Sequence, residues 1–258
     1  MSELFRMWNN TRMVVLTAIC AALYAAILIP FKVVPLIPGI TEFRPANALP
    51  VVLSLLFGPA AAWGSAFGNL IGDFFGGLGP GDVFGFLGNL LYGLVPYAVW
   101  EAVTDAPPLP KTLRASLGLL VVIGLAAMIC ADVVGWGLQA LGFHTFTVLG
   151  TLVLVNNVVV AVILAPFLLA VLYPRVRGAR LLYRDLLGPR RRLPAWRRGL
   201  GVALVVAGTV GTFVAGELIA GQRWLAPWAP IRTASGAFEV GVGLLPLLAV
   251  ALAGLALL

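Results

Sequence analysis

Charge is what this chain has least of. Lys, Arg, Asp and Glu make up 10% of its 258 residues, against 61% hydrophobic, and the mean hydropathy is +1.03. Soluble domains carry about 25% charged residues. Apolar runs recur along nearly the whole length, which leaves no room for a separate water-soluble domain. One histidine and two cysteines are too few for a metal centre or a disulfide framework. Cys20 and Cys130 both fall inside apolar runs and read as small packing residues. The phosphate loop GxxxxGK(S/T), the GxSxG elbow and the HExxH pair are all missing, so this chain cannot by itself hydrolyse ATP through a Walker site, and it carries no enzyme signature, cofactor motif or metal motif. What remains is a polytopic helical membrane protein.

The first apolar run follows Arg6 and Arg12, as a signal peptide would. It is longer than a usual signal core, however, and no small-residue cleavage site precedes Pro30 and Lys32, so it reads as a retained helix. Hydropathy and helix breakers place membrane helices at 13–29, 44–57, 60–75, 83–103, 117–141, 146–173, 200–221 and 240–258. The second and third, separated by Gly58 and Pro59, are each short for a full span. They read either as two tilted spans or as one re-entrant hairpin. Both options return the chain to the same side.

Basic residues give the orientation. Arg6 and Arg12 precede the first helix, and Lys111 and Arg114 lie between the fourth and fifth. Arg175, Arg177, Arg180, Arg184, Arg190, Arg191, Arg192, Arg197 and Arg198 lie between the sixth and seventh. All fall on one side, which the positive-inside rule makes cytoplasmic, with both termini there. Lys32, Arg44, Arg223 and Arg232 remain for the other side. The pI of about 10.1 comes mostly from one such loop, and anionic headgroups of the bilayer account for it without nucleic acid.

Function must come from polar residues that a bilayer makes costly, at least about 2.5–3.5 kcal/mol for a charge near its centre. Glu42 and Arg44 stand at the outer start of the second helix, with Asn47 one turn in. Asn69 and Asp73 are spaced to share one face of the third. Asn89 belongs to the fourth, Asp132 and Trp136 share a face of the fifth, Asn156 and Asn157 lie in the sixth, and Glu217 is alone in the seventh. Arg44, Asp73, Asp82 and His144 fall at outer ends or loops. Together these suggest an outward-facing pocket for a small polar or aromatic solute, with Trp63 and Trp136 available for stacking. Plainer roles stand beside this one. Buried asparagines bridge helices, Glu42 and Arg44 can form an interfacial ion pair, and Asp73 can cap the turn made by Gly76, Gly77, Gly79 and Pro80. His144 reads as a loop residue.

The segments LTAICAALYAAILIPFK, TEFRPANALPVVLSLLFGP and GNLIGDFFGG resemble the substrate-binding S components of energy-coupling factor (ECF) transporters, and among them the queuosine-precursor type. The similarity covers about residues 12 to 175. The resemblance implies a six-helix core in a prokaryotic plasma membrane that captures a vitamin or precursor from outside. It also implies docking on one transmembrane coupling protein and two ATPase subunits. Small residues spaced AxxxA on the first helix form the family's docking face, which Ala18 and Ala22 match and Ala26 extends; close packing within the chain is the alternative use of such a strip. Carried onto matching positions, the family's ligand site falls on Glu42, Arg44, Asn47, Asn69, Asp73 and Asn89. Asp132, Trp136 and Asn156 are added from membrane cost alone.

The expected architecture is thus an all-α membrane bundle. It comprises an S-component-like core (1–175), a basic cytoplasmic linker (176–199) and a two-helix extension (200–258) that the family does not usually have. The leading function is micronutrient capture for an ATP-driven importer. A stand-alone ion-coupled transporter using Asp132 or Glu217, or a membrane-integral enzyme using Asp73 and Asp132, stand as alternatives.

Overall fold

Asn10 sets the start of the first long helix. Its Oδ1 accepts the N–H groups of Arg12 and Met13 at 3.0 and 3.3 Å, which occupies donors that a helix N-terminus otherwise leaves open. The helix therefore runs Thr11–Phe31, two residues beyond the hydropathy boundaries at each end. The computed structural model describes residues 2–31, 35–37, 41–42, 44–188 and 193–258. In them the helices are α1 (Ser2–Arg6), α2 (Thr11–Phe31), α3 (Leu49–Phe57), α4 (Pro59–Phe74), α5 (Asp82–Val103), α6 (Leu113–Ala140), α7 (Phe146–Gly178), α8 (Tyr183–Leu187), α9 (Ala195–Ala220), α10 (Ala237–Gly243) and α11 (Leu245–Leu257). Two short antiparallel strands, β1 (Pro35–Ile37) and β2 (Thr41–Glu42), pair between α2 and α3. Lys32 and Arg190, Arg191 and Arg192, used above for orientation, lie outside the described residues.

Six helical stretches are long and apolar enough to cross a membrane: α2, α5, α6, the stretch beginning with α7, α9, and α10 with α11. The ambiguous pair lies between Arg44 and Phe75. A four-residue 3-10 turn, Pro45–Ala48, leads into the nine-residue α3, and α4 has 16 residues, about 24 Å at 1.5 Å per residue. Gly58, at φ +53°, joins them, and a Cβ there would sit 2.8 Å from the Tyr183 ring. The Tyr183 hydroxyl donates to Glu101 in the last turn of α5 at 2.6 Å. The α3–α4 corner thus reaches the far end of the bundle, and the pair goes the whole way down and back. Every residue of α3 is buried, so its shortness never meets lipid.

The core is a chain of neighbours, α2 on α4, α4 on α5, α5 on α6 and α6 on α7, with α3 inside. Glycine on α4 makes the first contact. A Cβ at Gly64 would lie 2.3 Å from Cys20 Cβ, one at Gly68 would lie 2.8 Å from the Ala21 carbonyl oxygen, and one at Gly72 would lie 2.4 Å from Leu28. Three small residues one turn apart let α2 and α4 approach to backbone contact. Cys20 is buried in that contact, and Cys130 of α6 packs against Gly88 of α5. Gly68→Val should therefore cost at least the ~1–3 kcal/mol typical of overpacking, because the atom in the way is backbone. Gly124, with nothing within 4 Å of its would-be Cβ, should accept Ala with a gain of about 0.5–1 kcal/mol in helix propensity. Thermal unfolding of both variants in detergent checks the opposite signs.

The sixth apolar run was expected to stop before Pro174, yet α7 continues to Gly178. The Arg175 guanidinium donates to the Val171 carbonyl one turn back along the same helix at 2.6 Å. Residues 176–199 are consequently not all linker. They contain the end of α7, all of α8 and the first turn of α9. Helix α8 is fastened beneath the core by Tyr183 and by Arg184 Nε, which donates to Glu101 at 3.0 Å. In the extension, α9 and α11 pack through Gly208 against Ala251 and through Gly201 against Gly254 and Leu258. Gln139 joins the extension to the core, donating to the Ser235 carbonyl at 3.4 Å while accepting the Phe146 N–H at 2.6 Å.

Candidate functional site

The polar residues nominated from sequence converge where α4 ends and α5 begins. Asn69 and Asp73 come from the last turns of α4, Asp82, Gly85 and Asn89 from the first turns of α5, and Asn156 and Asn157 from α7. Arg44 and Asn47 reach the same place from the 3-10 turn and Tyr24 from α2. They line a cavity of about 170 Å³ with Cys130, Val134, Leu138, Leu149 and Val153 as its apolar wall. Drug-sized pockets run from about 300 Å³ upward, and this one lies below that range.

Hydrogen bonds under the cavity are specific. The Tyr24 hydroxyl lies 2.9 Å from Asn47 Oδ1 and 3.2 Å from Asn89 Oδ1, donating toward both. Asn47 Nδ2 donates to Asn157 Oδ1 at 2.5 Å, and Asn89 Nδ2 donates to the Gly85 carbonyl at 2.9 Å. The Tyr92 hydroxyl approaches the backbone carbonyls of Asn47 at 2.8 Å and Asn157 at 3.4 Å, which ties the 3-10 turn to α7. Asn69 Nδ2 donates to Asp73 Oδ2 at 2.6 Å. An ionised carboxylate only accepts, so this contact fixes which way the Asn69 amide faces. Its Oδ1 has no partner among the described residues. Gly85 makes room here, since a Cβ would stand 3.1 Å from Asn69 Nδ2 and 3.6 Å from Asp73 Oδ2.

Six of the nine nominated ligand residues, Arg44, Asn47, Asn69, Asp73, Asn89 and Asn156, meet at this cavity. The Glu42 side chain lies outside the described residues. Asp132 and Trp136 are not brought to it. Asp132 is wholly buried in α6, with neither carboxylate oxygen partnered among the described residues. Trp136 Nε1 donates to the Gly241 carbonyl of α10 at 2.8 Å and its ring meets Phe84 edge-on; it anchors the extension. Trp63, the other stacking candidate, sits with Phe5, Trp8, Phe67 and Phe86, and donates to the Leu4 carbonyl at 2.8 Å. His144 is exposed in the loop after α6. Glu217 accepts from the Thr151 hydroxyl at 3.0 Å.

Tyr24 was missed. Its only sequence signal is a hydroxyl-bearing ring in an otherwise aliphatic and alanine-rich helix. The same helix presents Ala18, Ala22 and Ala26 outward, with Val15, Ile19, Leu23 and Ile27 exposed beside them. The alanine strip is thus not used for packing among the described residues; Thr17, Cys20, Ala21 and Tyr24 on the opposite face do that.

Membrane-length helices closed around a small amide-lined cavity define a multi-pass membrane protein that holds a small solute, the class to which transporters belong. The family model described as QueT transporter matches residues 14–174, more than half of the chain, so the chain belongs to that family, the ECF S components for queuosine precursors. It is a family of transporters, not enzymes. Comparison with curated proteins and with solved structures gives no match.

Proposed function

We propose that this protein captures a queuosine precursor in the amide-lined cavity and hands it to an ECF module of one transmembrane coupling protein and two ATPase subunits. One observation carries this reading: every residue lining the cavity, from Tyr24 to Asn157, falls inside the stretch matched by the family, 14–174. Arg44, Asp73 and Asp82 supply formal charges at the cavity, one positive and two negative when ionised, which favours a neutral or cationic solute over an anion. Asn47, Asn69, Asn89 and Asn157 build the walls and floor, while Arg44, Asp73 and Asn156 are the groups offered to the ligand.

The cavity end faces outward in this reading. Arg12, Lys111, Arg114 and Arg184 all belong to the opposite end, and the positive-inside rule makes that end cytoplasmic. Both termini then lie in the cytoplasm. The outward Ala18, Ala22 and Ala26 strip is the docking face for the coupling protein, because alanine lets a partner helix approach closely with no side-chain entropy to lose.

Titrating purified protein in detergent with queuosine precursors tests the capture step. Arg44→Ala and Asp73→Ala should each weaken binding more than tenfold, about 1.4 kcal/mol, through loss of a buried polar contact. Unchanged affinity in both well-folded variants would remove them from the site.

A further inference from the structure

The buried carboxamides around the cavity are not equivalent. Asn47 is engaged at both ends, by Tyr24 and Asn157. Asn89 is engaged by Tyr24 and the Gly85 carbonyl, and Asn69 is oriented by Asp73. Asn156 is 8% exposed and lines the same cavity, yet its amide makes no hydrogen bond to any described residue. Nor is it sealed in. The Asn69 Oδ1 atom is closed off from open space, whereas both polar atoms of Asn156 keep some access to it. A buried amide with an open donor and an open acceptor is a rare arrangement, because such groups are otherwise paired.

We propose that Asn156 is the residue that selects the ligand, by pairing edge-on with a planar nitrogen heterocycle whose rim carries a ring N–H next to a C=O. This rests on reading the cavity as the solute site. A carboxamide presents N–H and C=O side by side in one plane, and the matching edge has an acceptor and a donor side by side, the geometry by which asparagine reads bases. No described residue fixes the Asn156 amide, so it turns to suit either order of donor and acceptor. It does not suit an edge with only acceptors, or an edge with no polar group at all. The engaged asparagines act differently. They hold α2, the 3-10 turn, α5 and α7 in register, so that the backbone carrying Asn156 keeps its place relative to Asp73. Selectivity then resides in one side chain, because a site built to hydrogen-bond a ligand group rejects the analogue that lacks it.

The experiment uses the full chain in detergent with two probes, 7-deazaguanine and its counterpart lacking the ring carbonyl. Native protein should prefer the first by at least tenfold. Asn156→Leu and Asn156→Ser should bind both probes equally within about twofold, at the affinity native protein has for the second. Binding of that second probe reports that each variant is folded. Asp73→Ala should weaken both probes and leave their ratio unchanged. Preference retained in folded Asn156→Leu or Asn156→Ser overturns the assignment to Asn156 and leaves the capture function standing. Failure of native protein to bind either probe overturns the capture reading, and the selectivity assignment with it.

Discussion

Ala22→Trp is expected to abolish solute uptake by cells while leaving solute binding to the purified protein unchanged. Ala22 lies on the outward face of α2, and its neighbours along that strip, Ala18 and Ala26, are exposed as well. Among the described residues there is nothing for the new indole to strike, because α2 packs on α4 through the opposite face, at Thr17, Cys20, Ala21 and Tyr24. Tyr24, the α2 residue that reaches the cavity, keeps its hydrogen bonds to Asn47 and Asn89. A partner helix docked against alanine at close range cannot absorb an indole without moving away. Binding and transport should therefore separate, with affinity within about twofold of native and uptake near background, a difference of far more than the 1.4 kcal/mol that marks each factor of ten. Uptake that survives at normal expression in both Ala18→Trp and Ala22→Trp would remove the strip from docking.

Composition and helical spacing are local properties, so the sequence shows which residues of one helix share a face. Spacing alone puts Ala18, Ala22 and Ala26 on one face of α2 and Asn69 and Asp73 on one face of α4; the alanines share an exposed face and the Asn69–Asp73 pair is hydrogen-bonded. The α3–α4 pair was ambiguous for a physical reason. A nine-residue helix is too short to span lipid but long enough inside a bundle that covers all of it, and sequence does not reveal what surrounds a helix. Asp132 and Trp136 illustrate the opposite failure. Membrane cost flags a polar residue as needing an explanation, but it does not say which face of α6 points at the cavity. Cys130, Val134 and Leu138 face it, whereas Trp136 turns toward α10. Tyr24 escaped notice because a tyrosine in a membrane helix ordinarily reads as packing or an interfacial anchor. Its role depends on Asn47 and Asn89, which arrive from distant parts of the chain. Helix α8 was hidden inside a run of arginines, whose charge suggests a solvated loop, while Tyr183 beneath Gly58 supplies the apolar contact that orders it.

Reconstituted alone in liposomes with an imposed proton or sodium gradient, the protein is expected to bind solute and accumulate none. No nucleotide-binding motif exists in the sequence, so work against a gradient must come from ATPase partners or from an ion. An ion-coupled carrier needs a carboxylate whose occupancy changes the affinity of the solute site, since two ligands are linked only through differential interaction. Asp132 is the one membrane carboxylate among the described residues that is wholly buried, but it does not line the cavity. Glu217 lies in the extension and pairs with Thr151, outside the matched stretch that forms the site. Neither carboxylate touches the groups that would hold the solute, whereas the α2 face open to a partner runs along the very helix that carries Tyr24 to the cavity. A partner docked at Ala18 and Ala22 would therefore have a short mechanical route to the ligand, one or two turns of helix at ~5.4 Å per turn. Adding the coupling module and ATP should convert binding into accumulation. Concentrative uptake by the protein alone, lost in Asp132→Asn or Glu217→Gln, would instead make it a secondary transporter and overturn the ATP-driven reading.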